Sequence, residues 1–449
     1  MSRLTKKPEL IRSDAPPLSP LQKPIKPLGA MATVLLTLLV LAYVTLAAFH
    51  ITRVPTGATG YQNAPDEYAH VLYVKAVAEG HFPTPAEYAA ESRAYEWHQP
   101  PLYYLVASRF IGLGERNLRF ISVGLGIIAL LLIFRAGRLL FPGSLSIPFL
   151  ATGIAAFTPT HIALSSVVNN DILLEVGFSW ALLLCVSSLL SGFTMWRAGW
   201  LGLAVGMACL TKANGLLLLP VFLFVLFLLR KSGESTKNLC RFGAWTLTVA
   251  FAVCGWWFIR NGILYGEFLP FRAFARMFEH TVLAQNVVDG KVIQGVKGWG
   301  GYAQLIAQWT YQSFFAVFGD SRFPRAVEQG VPFFIAPQIY LLIGIGLLIS
   351  VYGLTRMHFE AKTNTTPTQR FALWVLFFVL GLVTLSFIAF VLKYFQATGR
   401  YLFPAMLPIS LLLAAGYERA IRGKYRGLLL AYGILTYAAL CATFFLSLR

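Results

Sequence analysis

Acidic residues are scarce in this sequence: 19 Asp and Glu stand against 37 Lys and Arg, and only 12% of the 449 residues are charged. Cysteine is scarcer still. Cys185, Cys209, Cys254 and Cys441 fall in apolar stretches and Cys240 in a basic one, so no disulfide framework is implied and no Cys/His spacing suits zinc. Internal repeats are absent. No basic soluble domain exists to set the formal net charge of +18 against nucleic acid, so nucleic-acid binding is not expected. With 57% apolar residues and a mean hydropathy of +0.64, the composition is not that of a water-soluble domain.

Long apolar runs take the place of these features. A helix that satisfies its own backbone needs about 20 such residues to cross a hydrocarbon layer of about 30 Å. About eleven candidates lie near 30–50, 117–140, 145–167, 172–191, 198–212, 215–230, 242–262, 332–354, 371–391, 400–417 and 427–447. The expected fold is an all-α polytopic membrane protein, with one transmembrane domain over 30–449 behind a basic tail at 1–29. Five prolines in that tail (Pro16, Pro17, Pro20, Pro24, Pro27) point to disorder. The first run is expected to stay as an anchor, because a long basic leader precedes it and no small-residue cleavage site follows.

Lys and Arg fall in every second connection. Arg3, Lys6, Lys7, Arg12, Lys23 and Lys26 come first, then Arg135 with Arg138, Arg197, and Arg230 to Arg241. Arg356 to Arg370 and Arg419 to Arg426 continue the alternation. Short basic connections stay in the cytoplasm, which sets the N-terminus inside and predicts contact with anionic membrane lipids. Two long connections, about 53–116 and 263–331, then face outward and are expected to carry juxtamembrane helices.

Ionisable residues inside or at the edge of a membrane are costly, and here they gather on the outer side. The first long connection holds Asn63-Ala64-Pro65-Asp66-Glu67-Tyr68-Ala69-His70, a helix start with Asn as cap, Pro in the first turn, acids where the helix dipole favours them, and Gly80 as the stop. Asp66, His70, Tyr73 and Val77 would share one face of that helix. The connection ends in Tyr95-Glu96-Trp97-His98-Gln99-Pro100-Pro101-Leu102-Tyr103-Tyr104. Asn169-Asn170-Asp171 lies between two spans, and Lys212 stands against the positive-inside trend in Leu210-Thr211-Lys212-Ala213-Asn214-Gly215. Lys393 and Arg400 with Tyr401 close another outer turn, where cations beside aromatics suit a lipid phosphate. Each taken alone has an ordinary alternative: a capped surface helix, an aromatic belt, a polar turn, or a lysine reaching for headgroups. The aromatics of the second long connection (Trp299, Tyr302, Trp309, Tyr311, Phe314, Phe315) suit either a cover for the site or a segment in the headgroup layer.

In their order the motifs resemble the glycosyltransferase-C superfamily, in particular carrier-dependent enzymes such as protein O-mannosyltransferases and the aminoarabinose transferases of lipid A. The resemblance rests on Asp66-Glu67 with Gly80, the stretch His98 to Tyr104, Arg119, Asp171, the segment Gly202 to Pro220, Trp257-Phe258-Ile259-Arg260-Asn261 with Tyr265-Gly266, and Arg400 to Pro404. It implies an inverting transfer of a sugar from a polyprenyl-phosphate donor to a hydroxyl on a protein, lipid or glycan acceptor, at the outer face of a prokaryotic cell (inner) membrane. Asp66 would act as general base, with Glu67 beside it as the second catalytic acid. Lys212 and Arg400 would meet the donor phosphate, backed by His98 and Arg260. Gln99, Tyr103, Asp171, Lys393 and Tyr401 complete the expected binding set.

Some relatives carry a lysine where this chain has Gln99, so their phosphate contacts do not transfer directly. No cofactor is expected. A divalent metal on Asp66, Glu67 and Asp171 is conceivable but disfavoured, since adjacent acids at a helix start point about 100° apart. Two other classes of protein handle the same lipids: transporters or flippases of polyprenyl-linked sugars, and O-antigen ligases or polymerases. The former often show repeated halves and the latter would be expected to lack an acidic pair in the first outer connection.

Overall fold

A computed structural model describes residues 27–448 except 57–63, 65, 85–86, 88–93, 270–271, 273–274, 276–280, 294, 317–335, 365 and 422–424. The basic tail, Asn63 and Pro65 therefore lie almost wholly outside the described residues. Among the described residues the secondary structure is helical throughout, apart from an isolated bridge between Leu283 and Tyr394. Among the described residues, nine helices are long and apolar enough to cross a membrane.

Two of the eleven expected spans take a different form. The stretch 145–167 folds as Ser146–Ala156 followed by Pro159–Leu164, because Pro159 starts a new helix and Thr158 before it is extended at ψ 112. The stretch 198–212 becomes Met195–Thr211, of 17 residues, begun by Thr194, whose side chain accepts the Arg197 backbone N–H. At about 1.5 Å per residue this helix runs about 25 Å.

The helix Asp171–Ser191 forms the centre, with 78% of its apolar window buried, whereas Ala30–Arg53, Gln338–Met357 and Arg426–Leu446 have only 22% buried and form the rim. Around the central helix pack Glu115–Leu140, Met195–Thr211, Leu218–Lys231, Pro367–Val391 and the 3₁₀ segment Gly399–Ala405. Apolar side chains gain little by leaving lipid for protein, so close backbone approach has to hold such a bundle together. Gly202 and Gly206 supply it where Met195–Thr211 lies on Thr236–Tyr265: a Cβ there would fall 2.4 Å from the Thr246 carbonyl oxygen and 2.8 Å from that of Ala250. Gly416 meets the Ser350 carbonyl in the same way.

One end of the bundle collects the polar groups. The guanidinium of Arg119, near the start of Glu115–Leu140, donates to the carbonyls of Val54 and Pro55 just past Ala30–Arg53. The helix Glu67–Ala78, the 3₁₀ turn Tyr95–His98 and the short helix Leu102–Ser108 cap this end. On the second long connection, Gly298–Phe315 packs against Gly399–Ala405 and buries Tyr302, Ile306 and Trp309 with Phe387 and Val391. Tyr302 and Trp309 thus belong to a small core of their own, whereas Phe314 and Phe315 join the main core and Trp299 is exposed.

A methyl group placed at Gly416 would lie 2.1 Å from the Ser350 carbonyl oxygen, while one at Gly124 meets nothing within 4 Å. Gly416→Ala is therefore expected to lower the melting temperature in detergent by the equivalent of about 1–3 kcal/mol. Gly124→Ala should leave it equal or raise it by up to about 1 kcal/mol.

Candidate functional site

The two adjacent acids separate at the first turn of Glu67–Ala78. Glu67 is 1% exposed and turns inward: Arg119 Nε donates to its Oε1 at 2.7 Å and Nη2 to its Oε2 at 2.5 Å, while the Val168 N–H donates to Oε1 at 2.9 Å. Arg119 is itself fully buried and spends its remaining N–H groups on backbone carbonyls. The structure thus sets Glu67, expected beside Asp66 as a second catalytic acid, apart from it, with both of its oxygens occupied within the protein interior. Asp66 takes the cap position expected of Asn63. Its backbone lies at φ 63, and among the described residues it is the one non-glycine at positive φ. That conformation costs an L-residue about 1–2 kcal/mol, and Asp is among the few that adopt it. The helix ends at Ala78, with Gly80 at φ 78, as its sequence suggests.

The left-handed turn aims the Asp66 carboxylate out of the core. Its Oδ2 pairs with Arg400 Nη2, and the Tyr95 hydroxyl donates to Oδ1 at 3.0 Å. The Arg400 Nη1 lies 3.9 Å from Asp171 Oδ2, and Lys212 Nζ donates to Asp171 Oδ1 at 2.5 Å. Asp66, Arg400, Asp171 and Lys212 thus form a line of alternating charge. Their side chains are 25%, 12%, 12% and 18% exposed, buried enough to be weakly screened and open enough to be reached.

Each member is fixed by its own element. Asp171 begins the central helix, and its N–H donates to the Asn169 side chain at 2.7 Å. Asn170 Nδ2 donates to the Thr211 carbonyl and so ties the Lys212 turn to that helix. Arg400 follows Gly399, whose N–H donates to Ser313 Oγ at 2.8 Å and whose Cα faces the Phe314 backbone with no room for a side chain. Its guanidinium lies over the Tyr401 ring at 5.5 Å, and the Tyr401 hydroxyl donates to Gln396.

A wall of rings and histidines closes the near side. His70 is 2% exposed and shares a hydrogen bond with the Tyr104 hydroxyl at 2.8 Å, while Tyr73 donates to the Gln99 carbonyl. His98 Nδ1 donates to the Tyr95 carbonyl at 2.7 Å. Tyr103 accepts from the Asn169 N–H and shares a hydrogen bond with Ser122, so it supports the Asp171 turn from behind. Burial pushes the imidazole of His70 below its ordinary range, against the opposing pull of Glu96 and Asp66. Burial also brings His98 down to about 4. Both rings are therefore neutral at pH 7. Burial alone would raise the Asp66 carboxyl, but the charge and hydrogen bond of Arg400, helped by the Tyr95 hydrogen bond, outweigh it and hold Asp66 well below the usual carboxylate range.

Two expected members stand apart from the line. Lys393 is exposed, with its ammonium 5.1 Å from the Tyr394 ring centre, because the backbone bridge of its turn to Leu283 and Ala284 directs it outward. Arg260 donates to the carbonyls of Phe82 and Pro83 and stacks over Trp257 at 4.7 Å, so it braces the C-terminal end of its helix against the first connection. Tyr95, at the head of the aromatic stretch that ends the first connection, binds Asp66 directly without having been named for the site, and Ser313, which binds the Arg400 turn, carries no local signal that would have marked it. Among the described residues no three His, Cys, Asp or Glu side chains group as metal ligands.

Comparison with known proteins gives this geometry a context. Residues 98–258 match a family model described as dolichyl-phosphate-mannose-protein mannosyltransferase. The apo oligosaccharyltransferase of Archaeoglobus fulgidus is similar at 17% identity and a TM-score of 0.51, over 92% of this chain and 56% of that one. The same organism's oligosaccharyltransferase AglB, in complex with an inhibitory peptide and a dolichol-phosphate, gives 16% and 0.49 over the same shares. ArnT from Cupriavidus metallidurans, bound to undecaprenyl phosphate, gives 17% and 0.42 over 88% of this chain and 78% of that one. No curated protein matches. The chain spans little more than half the length of the oligosaccharyltransferase, and the likeness is one of fold. An all-helical fold is what this chain and the apo oligosaccharyltransferase share.

Removing Arg119 would strand a buried carboxylate, so Arg119→Met is expected to cost about 3–5 kcal/mol of stability, read as a large fall in melting temperature in detergent. Lys393→Met should stay within about 0.5 kcal/mol of the parent.

Proposed function

We propose that the chain is a membrane glycosyltransferase that moves a sugar from a polyprenyl-phosphate donor to a hydroxyl acceptor, with inversion at the anomeric carbon and Asp66 as general base. The observation that carries this reading is the alternating line Asp66–Arg400–Asp171–Lys212 at one end of an apolar bundle. The family model over 98–258 supports it, since that segment contains Asp171 and Lys212. The alternation of Lys and Arg supports this end facing outward, and the proposal takes the membrane to be a prokaryotic inner membrane. The acceptor is a hydroxyl of a protein, lipid or glycan.

The chemistry divides between the two charge types. A polyprenyl phosphate leaves as an anion and needs fixed cations at its oxygens more than it needs a proton. Lys212 and Arg400 are placed for that task, with their resting partners Asp171 and Asp66 holding them in position until the phosphate arrives. When the phosphate takes Arg400, the Asp66 carboxylate loses its strongest partner and becomes a better base. It then accepts the proton of the acceptor hydroxyl as the oxygen–carbon bond forms and the carbon–oxygen bond to phosphate breaks. The Tyr95 hydroxyl, which donates to its Oδ1, holds the carboxylate in line.

No metal is assigned in this scheme. Each of the three carboxylates that the sequence offers to a divalent ion faces a cation of the chain: Glu67 faces Arg119, Asp66 faces Arg400 and Asp171 faces Lys212. A chelator is expected to leave transfer unchanged.

Purified protein, labelled polyprenyl-phosphate sugars and a mixture of candidate acceptors test the proposal. Asp66→Asn should lower transfer by about 10²–10⁴-fold, with polyprenyl-phosphate binding equal or tighter because Arg400 is freed. Transfer at the parent rate would remove Asp66 from the role. Since the Asp66 pKa is depressed, the base stays ionised as pH falls from 7 to 5, so kcat/KM should be flat there and drop only below the ordinary carboxylate range. An acid limb near pH 6 would contradict the assignment.

A further inference from the structure

Three of the carboxylates at this end of the bundle are satisfied by cations: Glu67 by Arg119, Asp66 by Arg400 and Asp171 by Lys212. Glu96 differs. It sits in the 3₁₀ turn Tyr95–His98, directly after the tyrosine that donates to Asp66, and its Oε2 is buried with no hydrogen-bond partner among the described residues. Its charge bears on His70, Tyr95 and Tyr104, which places it against the same wall as the Asp66 carboxylate.

An ionised carboxylate is an acceptor only. A buried acceptor left dry weakens the fold, so native proteins leave one mainly where another molecule supplies the donor. A hydroxyl would supply that donor without disturbing the line of charge beside it, which already balances two anions with two cations. The turn carrying Glu96 is rigid: the His98 ring holds the Tyr95 carbonyl, and Pro100 and Pro101 follow at once. The unpaired oxygen is thus held buried in a fixed wall, and a fixed polar group is what selective recognition requires.

We infer that Glu96 is a specificity-determining residue that accepts a hydrogen bond from a carbohydrate hydroxyl bound beside Asp66. The inference rests on the transferase reading above and adds to it the group that reads the sugar. The hydroxyl comes either from the donor sugar or from a glycan acceptor, and both offer the same chemistry. Phosphate recognition stays with Lys212 and Arg400, so Glu96 should matter for glycosylated lipid and be indifferent to the bare phosphate.

The test compares the parent protein with Glu96→Ala and Glu96→Gln for binding of bare polyprenyl phosphate, for binding of polyprenyl-phosphate hexoses and pentoses, and for acceptor KM, with melting temperature recorded throughout. Loss of about tenfold in affinity for a glycosylated lipid, with the bare lipid unchanged, supports recognition of the donor sugar. An acceptor KM raised about tenfold with lipid binding unchanged supports recognition of an acceptor glycan. In either case Glu96→Gln, which keeps a carbonyl acceptor, should recover most of the effect. Equal loss for bare and glycosylated lipid, together with a fall in melting temperature, would show a structural role and overturn the inference, as would parent-like values in every assay. If the parent protein binds neither lipid, the transferase reading itself fails and this inference falls with it.

Discussion

A guanidinium and a carboxylate with side-chain exposures of 0% and 1%, Arg119 and Glu67, meet through two parallel hydrogen bonds at the polar end of this bundle. Removing two charges from water is costly, and a well-packed apolar pair would often be as stable. What the pair supplies is position. Arg119 ties together the end of the first helix, through the Val54 and Pro55 carbonyls, and the start of Glu67–Ala78. Glu67 adds the Val168 N–H, three residues before Asp171. Three separate elements are thereby registered to one another, and the residue before Glu67 is left in a left-handed turn that points its carboxylate away from the core.

The line of charge depends on that registration. Asp66 and Arg400 are 334 positions apart in sequence and touch because the first connection and the 3₁₀ segment Gly399–Ala405 are each clamped from behind, the one by Arg119 and the other by Ser313 and Phe314. Neutral, buried histidines and tyrosines fill the space between without adding charge. The proposed chemistry asks for this balance: cations that can change partner when a phosphate arrives, and a base that stays ionised until then.

Much of the architecture was legible because the bilayer imposes one strong rule, and runs of apolar residues report it directly. The rule says less where helices are sheltered by protein. There Pro159 splits one expected span and Met195–Thr211 makes do with 17 residues. Asp66, Asp171, Lys212 and Arg400 stood out as charges at the edges of spans, and the structure brings these four together. Local sequence could not separate Asp66 from Glu67, since the choice was made by Arg119, 52 positions away. Nor could it separate Lys393 from Arg400, whose directions are set by the bridge to Leu283 on one side and the Ser313 contact on the other. Glu96 left no mark in the sequence because its distinction is a missing partner.

The central claim is that Arg400 and Lys212 exchange carboxylates for a lipid phosphate and thereby release Asp66. An experimental structure of the protein in a lipid nanodisc with bound polyprenyl phosphate tests it most directly. The account predicts the phosphorus within about 4 Å of both cationic side chains, the reach of an ion pair, with the Asp66 carboxylate parted from Arg400 and facing open space. A phosphate held elsewhere, with the Asp66–Arg400 pair intact, would contradict it.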